Sequence, residues 1–474
     1  MVVDRTNASY SEAMERPLRP VLVSASDGLG GADIAAYRLH LALRGISLDS
    51  TMLVRQSITQ DPTVHLLTTD DRFGRRWLRE HLTDVALWTQ KSANGVHRSL
   101  NLVPSGSMPS ILVQQPDVIH LHWVGADLLS LKEIQRLPRP VVWTMHDSWP
   151  FCGAEHHPAD LADTRYRDGY SRTTRARNDS RFDLDALGFR AKQRTWSRHF
   201  TLATPSRWMA QNARDSLLLG HLPVAVIPNA IPVHDFTPRD RRAARLELGL
   251  DPQVPIVAFG AIGAQSDPNK GWDLLTAALQ QVVTAVPDLQ ALVFGGDSST
   301  SIGLPVHAVG RMTNASDLAT VYAAADLFVV PSRMESFSQT AAEAQAVGVP
   351  VVGFAATGLL DVVDDGVTGA LVTPFDPRAL AVAIVALLSE DASVRWTLGS
   401  AARERAVRLW SPEVVATQYA DLYATALRKP RSGDARSAAP LESRIGVAAC
   451  TVATVWTTST RRPTSLVGRA DFAC

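Results

Sequence analysis

The stretch DLFVVPSRMESFSQTAAEAQAVGVPVVGF (Asp326–Phe354) decides the fold. An apolar run leads into a serine-containing turn, then into a small-residue segment that stops at Gly348, then into a second apolar run. Runs that are continuously apolar, rather than alternating, suggest strands buried on both faces, as in parallel sheets. Ser336 or Ser338 would cap a helix running through Val347, with Gly348 as its stop. Glu335 and Glu343 stand eight positions apart, one before the helix and one inside it. Carboxylates near a core are costly unless something hydrogen-bonds them, so the pair either faces water or serves a ligand.

Similar runs recur outward along the chain. In the first half they are Pro20–Ser26, Asp117–Trp123, Pro140–His146, Phe200–Ser206 and Val224–Asn229. In the second half they are Pro255–Ala261, Leu289–Gly296, Asp326–Ser332 and Pro350–Ala356. Helical segments such as Ala32–Arg44 and Trp272–Ala285 fall between them, which is the βα repetition of an α/β protein. A chain of 474 residues is too long for one core. Proline and charge interrupt the alternation at Asn229–Pro252. The expectation is two α/β domains, 19–228 and 229–410, facing a cleft, with a helix over 411–428 crossing back to the first. From Lys429 the chain is rich in Arg, Ser, Ala, Pro and Thr without periodicity, and 429–474 reads as a disordered tail.

Composition narrows the function classes. Hydrophobic residues make up 46% and charged residues 20%, the balance of a globular protein. Lys plus Arg equals Asp plus Glu at 47 each, which argues against a nucleic-acid partner. The three cysteines, Cys152, Cys450 and Cys474, form no CxxC pair and no disulfide framework, which suits a reducing compartment. With no signal-like start and no apolar run of about 18 residues, the expectation is a cytoplasmic protein.

In open parallel sheets ligands bind beyond the carboxyl ends of the strands. Three motifs lie there. Gly28, Gly30 and Gly31 in SDGLGGADIAAYRLHLAL (Ser26–Leu43) permit a close backbone approach at a helix start, although a tight turn needs glycine too. In DPNKGWDLL (Asp267–Leu275), Lys270 sits at a helix start, where a cation is unfavourable unless an anion joins it. The third motif is the glutamate pair, whose helix start suits a phosphate while the carboxylates accept hydroxyl hydrogen bonds. A ligand with a charged middle and polyhydroxyl ends, such as sugar, diphosphate and ribose, fits this third motif.

Five histidines form a fourth group: His120, His122, His146, His156 and His157. His120 and His122 project from one face of a strand, as metal ligands can, or as core histidines bonded to backbone do. This supports a rival reading, a metal-dependent hydrolase using His120, His122, His146 and Asp147, which leaves Lys270 and the glutamates without roles. Arg165–Arg207 carries eleven Lys or Arg against four Asp, with Tyr166, Tyr170 and Trp196 interspersed. That is a solvated face or a contact with an anionic acceptor or the inner membrane surface.

With these residues in place, the chain resembles the retaining GT-B glycosyltransferases of family 4 over Pro20 to Arg428. The resemblance rests on ESFSQTAAE followed by GVPVVGFAATGLLDVVDDGVTGALV. IHLHW, VVWTMHDSWPFCGAEHH and TPSRWMAQNARDS resemble the colanic acid and exopolysaccharide branch. It implies two Rossmann-like domains and transfer of a sugar, with retention, from a nucleotide-diphosphate donor to a glycan or lipid-linked acceptor in surface polysaccharide synthesis. It also implies that Glu335 contacts the donor sugar, Glu343 the ribose, and the amides of Phe337, Ser338 and Gln339 the sugar and diphosphate. Lys270 would neutralise the departing diphosphate, Gly30 and Gly31 would line the cleft, and His146 would sit beside the reacting sugar. No metal or other cofactor is implied. One departure stands out: the family commonly has an arginine about five residues before the lysine, and none lies between Phe259 and Lys270. Arg311 is the candidate to replace it. Without that second cation, a non-catalytic nucleotide-sugar binder is a further alternative.

Overall fold

The computed structural model describes residues 16–428, apart from 69–84, 86–87, 92–94, 139, 177–178, 197–199, 261–266, 296–302 and 313. The expected tail, 429–474, lies outside the described residues. Two sheets carry the architecture. The first has seven strands: β1 (Pro20–Ser26), β2 (Thr51–Gln56), β3 (Val64–Leu66), β4 (Val118–Leu121), β5 (Val141–Thr144), β6 (Phe200–Thr204) and β7 (Val224–Val226). Their order across the sheet is β3-β2-β1-β4-β5-β6-β7, and every pairing is parallel. The second has six: β8 (Ile256–Gly260), β9 (Gln290–Phe294), β10 (Val306–Gly310), β11 (Leu327–Val330), β12 (Val351–Phe354) and β13 (Gly369–Val372). Its order is β10-β9-β8-β11-β12-β13, again all parallel.

Both sheets reverse direction beside their first strand, between β1 and β4 and between β8 and β11. Such switch points open a crevice at the strands' carboxyl ends. All the apolar runs except Val224–Asn229, which forms the partly exposed edge strand β7, become interior strands because helices cover both sheet faces. Leu327, Phe328, Val329 and Val330 of β11 are all buried, divided between two core clusters. The sequence reading omitted β2, β3, β10 and β13. Of these, β3, β10 and β13 are edge strands, with β10 half-exposed along its length so that no continuous apolar run marks it, and β2 is an interior strand whose last two residues are exposed.

Four helices position the site: α1 (Gly31–Gly45), α2 (Trp272–Ala285), α3 (Gln339–Val347) and α4 (Pro412–Arg428). Helix α4 lies on the first sheet. Its Val415, Ala416, Tyr419 and Tyr423 join Leu22, Val118 and Val142 in one buried cluster. Burying a side chain such as Val415 or Leu22 contributes about 1.5–3 kcal/mol. Helix α3 is almost wholly buried, as its run of alanines implies, and Gly348 ends it at φ 85°.

Candidate functional site

The site grows from the turn before α3. Ser338 occupies the N-cap position at φ 75°, ψ 79°, a left-handed conformation, whereas a serine N-cap is ordinarily extended. Its side chain makes no capping bond, and its buried Oγ has no hydrogen-bond partner. A non-glycine residue held there costs about 1–3 kcal/mol, and such strain gathers at ligand clamps. Serine thus stands at the expected helix start but does not cap it. The first-turn amides are left to a ligand or water, with the positive end of the helix behind them. Phe337 is buried against Trp410, their rings 5.8 Å apart and nearly perpendicular, so this residue offers the site backbone only.

Lys270 meets this turn from the loop after β8. Its Nζ donates to Glu335 Oε1 at 2.9 Å, with side chains 24% and 14% exposed. Burial opposes the ammonium charge, but Glu335 and Asp267 outweigh it, and the lysine pKa is raised. Gly271 sets the geometry. It adopts φ 67°, and a Cβ there would lie 2.0 Å from the Pro331 carbonyl oxygen. Only glycine lets the Lys270 loop lie this close to the end of β11. Glu335 is fastened in turn: its amide donates to Thr357 Oγ1 at 3.1 Å, and its carbonyl accepts from Gly358 N at 2.8 Å.

Glu343 lies one turn inside α3 and is buried. Tyr322 donates its hydroxyl to Oε2 at 2.8 Å, and Arg38 of α1 stands 2.6 Å from Oε1. The sequence reading named neither partner. Arg38 shares its helix with apolar core residues, and periodicity gives no sign that its face meets the other domain. Asp33 was also missed, although an acid three residues after a helix cap is a recognisable signal. Buried Asp33 organises the glycine turn by accepting from Ser24 Oγ, Ser26 N and Gly30 N at 2.9, 3.2 and 3.2 Å. Burial raises its pKa.

The two walls touch at this end of the cleft. Gln339 Nε2 donates to the Gly31 carbonyl at 2.6 Å, and Arg311 Nη2 to the Leu29 carbonyl at 3.4 Å. The glycine turn, the start of α3 and Arg311 are therefore brought together. The segment where the family arginine would fall includes 261–266, which lies outside the described residues.

The histidines form a separate group on the first-domain wall. His146, half-buried just beyond β5, is hydrogen-bonded through Nε2 to His122 Nδ1 at 2.9 Å. Burial lowers its pKa to about 4, so it is neutral at pH 7. His156 bridges Asp147 Oδ2 at 2.6 Å and Ser99 Oγ at 2.7 Å, while Trp123 Nε1 donates to the same Asp147 oxygen at 2.8 Å. The metal-ligand set of the rival hydrolase reading is not assembled. Both ring nitrogens of His120 are taken, by Tyr423 OH and Thr144 Oγ1, each at 2.7 Å. Among the described residues no three His, Cys, Asp or Glu side chains are grouped so as to hold a metal ion. His120 is instead a core histidine that ties α4 to the first sheet.

Comparison with known proteins bears on this arrangement. Residues 52–235 match the family model described as Glycosyltransferase Family 4, and residues 256–390 match Glycosyl transferases group 1. Sucrose-phosphate synthase from Thermosynechococcus elongatus superposes with a TM-score of 0.61 at 24% identity, over 86% of this chain and 98% of that one. The fold is GT-B. HepE of Anabaena, solved in complex with UDP-glucose, shares this GT-B architecture with a TM-score of 0.60 at 18% identity, over 86% of this chain and all of that one. In sequence, the chain is 42% identical over 180 residues to the D-inositol 3-phosphate glycosyltransferase of Mycobacterium sp. strain KMS, or 35% of this chain and 39% of that protein. The chain spans 39% to 52% of the length of the curated relatives it matches. These relatives do not support the colanic acid branch that the first-half motifs resemble. No helix among the described residues is long and apolar enough to cross a membrane.

Proposed function

We propose that this GT-B protein is a retaining glycosyltransferase that moves a sugar from a nucleoside diphosphate donor to a hydroxyl of a glycan, polyol or lipid-linked acceptor. One observation carries the reading: Lys270 and Glu335 converge on a helix start whose cap is strained and whose serine hydroxyl is buried without a partner. That is a place for an anion flanked by hydroxyls. The resemblance to the polysaccharide branch supports a glycan acceptor, while the D-inositol 3-phosphate glycosyltransferases support a phosphorylated polyol.

In this reading the diphosphate lies against the amides around Phe337, Ser338 and Gln339, with Lys270 neutralising it and Arg311 as the second cation. Glu335 accepts hydrogen bonds from the donor sugar, and Glu343 from the ribose. The acceptor oxygen attacks the anomeric carbon on the face the diphosphate leaves, so configuration is kept. The bond to phosphate breaks with its electron pair going to the nucleoside diphosphate, and the acceptor proton passes to a departing phosphate oxygen. Placing positive charge where negative charge develops is commonly the largest contribution to such catalysis. Neutral His146 accepts a hydrogen bond beside the reacting sugar. No bound metal takes part.

Thermal unfolding with UDP, ADP, GDP and their glucose conjugates, with and without EDTA, tests the reading. A ligand at about 100 times its Kd adds roughly 2.7 kcal/mol of stability. The expected result is a shift with one base that survives EDTA, followed by sugar transfer from that donor to a polyol phosphate or glycan. Binding without turnover would favour a nucleotide-sugar binder. The absence of any shift would sink the proposal.

A further inference from the structure

Arg38 leaves α1 in the first domain and ends on the second. Its Nη1 lies 2.6 Å from Glu343 Oε1 and donates to Gln339 Oε1 at 3.1 Å. Its guanidinium carbon stands 5.5 Å from the centroid of Phe236, a buried ring in the segment that joins the two sheets. Gln339 and Glu343 are four residues apart and so neighbours on one face of α3. Arg38 therefore spans the first turn of the helix whose start faces the proposed diphosphate. Gln339 closes the circuit through the Gly31 carbonyl at the head of α1.

The pair is largely desolvated, with side chains 15% and 6% exposed. Desolvated pairs are poor sources of stability, so their presence asks for another reason. Tyr322 donates to one Glu343 oxygen and Arg38 pairs with the other as an ion pair, and a carboxylate oxygen can accept a further hydrogen bond. The carboxylate is held in one orientation yet retains capacity for hydroxyl groups.

We propose that Arg38 is a cross-cleft positioning residue for the nucleotide half of the donor. It fixes the Glu343 carboxylate and the Gln339 amide, and through them the first turn of α3, in the arrangement that receives ribose and diphosphate. Because it belongs to the opposite domain, it links nucleotide binding to closure of the cleft. The inference rests on the donor site proposed above.

The test is calorimetric titration of wild type, Arg38→Met, Arg38→Lys and Gln339→Ala with UDP, ADP and GDP. Circular dichroism serves as the folding control. Gln339 is the first residue of α3 and half-buried, so Gln339→Ala reports even where Arg38→Met does not fold. Expected are a loss of about tenfold or more in affinity for Arg38→Met, partial recovery in Arg38→Lys and a smaller loss in Gln339→Ala. Adding Glu343→Gln to Arg38→Met should cost little more than either alone, since the two act as a unit. Variants that fold and bind a diphosphate within about twofold of wild type would overturn the proposal and leave the donor site standing. A wild type that binds none of the three diphosphates overturns the donor site, and this proposal with it.

Discussion

Lys270 and Glu335 lie 65 residues apart in the chain and meet at 2.9 Å, at the start of α3. Neither is where an isolated charge is comfortable. The lysine ends the short helical turn Pro268–Lys270 just ahead of α2, at the wrong end of α2 for a cation, and the glutamate is only 14% exposed. Each relieves the other in the ligand-free protein. A diphosphate sugar would divide the pair's labour, with its phosphate drawing the ammonium and its hydroxyls the carboxylate.

Lys270→Met should lower kcat/KM by about 100- to 1,000-fold, as loss of an electrostatic stabiliser of a leaving group commonly does. Lys270→Arg should keep part of the rate, because charge is retained while geometry changes. Initial rates with the donor found in the binding panel decide the matter. A Lys270→Met enzyme within a few-fold of wild type would remove Lys270 from the chemistry.

Ser338 separates a structural role from a ligand role. Its hydroxyl is buried without a partner and caps nothing, so Ser338→Ala should leave the ligand-free melting temperature unchanged or raise it. Ser338→Gly, which relieves the left-handed strain, should stabilise by up to about 1 kcal/mol. Both variants should bind nucleoside diphosphate more weakly than wild type. A stabilised variant with unaltered binding would make the strained turn a mere accident of folding.

How much of this was legible in the sequence follows from what each signal measures. Continuous apolar runs report burial on both faces, so they marked central strands such as β8 and β11 and passed over β10, which is half-exposed. The small-residue character of Ser336–Gly348 correctly implied a buried helix, and the glycine stop was found. Contacts made by the fold were another matter. Nothing local in AYRLH shows that Arg38 crosses to Glu343, or that Tyr322 waits on that glutamate's other oxygen. The spacing of His120 and His122 suggested metal ligands because a strand puts alternate residues on one face. Periodicity could not show that α4 would supply a tyrosine to occupy the first of them.

Tyr423→Phe tests that last contact. It removes the hydroxyl bonded to His120 Nδ1 in the core, leaving a buried ring nitrogen without that partner. The expected loss is about 1–3 kcal/mol of unfolding free energy, measured by denaturant titration. Because the bond lies in the core and not among the proposed donor contacts, nucleotide affinity should stay close to that of the wild type. A large drop in affinity with little change in stability would reverse that assignment.

Acidification gives the final prediction, and its sign follows from the histidines. Burial is the leading cause that lowers the pKa values of His40, His97 and His146 to about 4 from 6.5. Below pH 6.5 the unfolded chain takes up protons that these rings refuse in the folded state, so stability falls as the pH drops. The fall continues until the folded rings protonate near pH 4, at up to about 1.4 kcal/mol per pH unit for each histidine. Asp147 acts lower down. Burial opposes its charge, but His156 and its hydrogen bonds outweigh that and hold its pKa at about 2, so the stability it adds is lost only below its ordinary value of 3.8. The melting temperature should therefore decline steadily between pH 6.5 and 4. His146→Gln should show a shallower decline over the same window, since one of the refusing rings is gone. Parallel slopes for the two proteins would mean that His146 is solvated, which would remove the case for a neutral imidazole beside the reacting sugar.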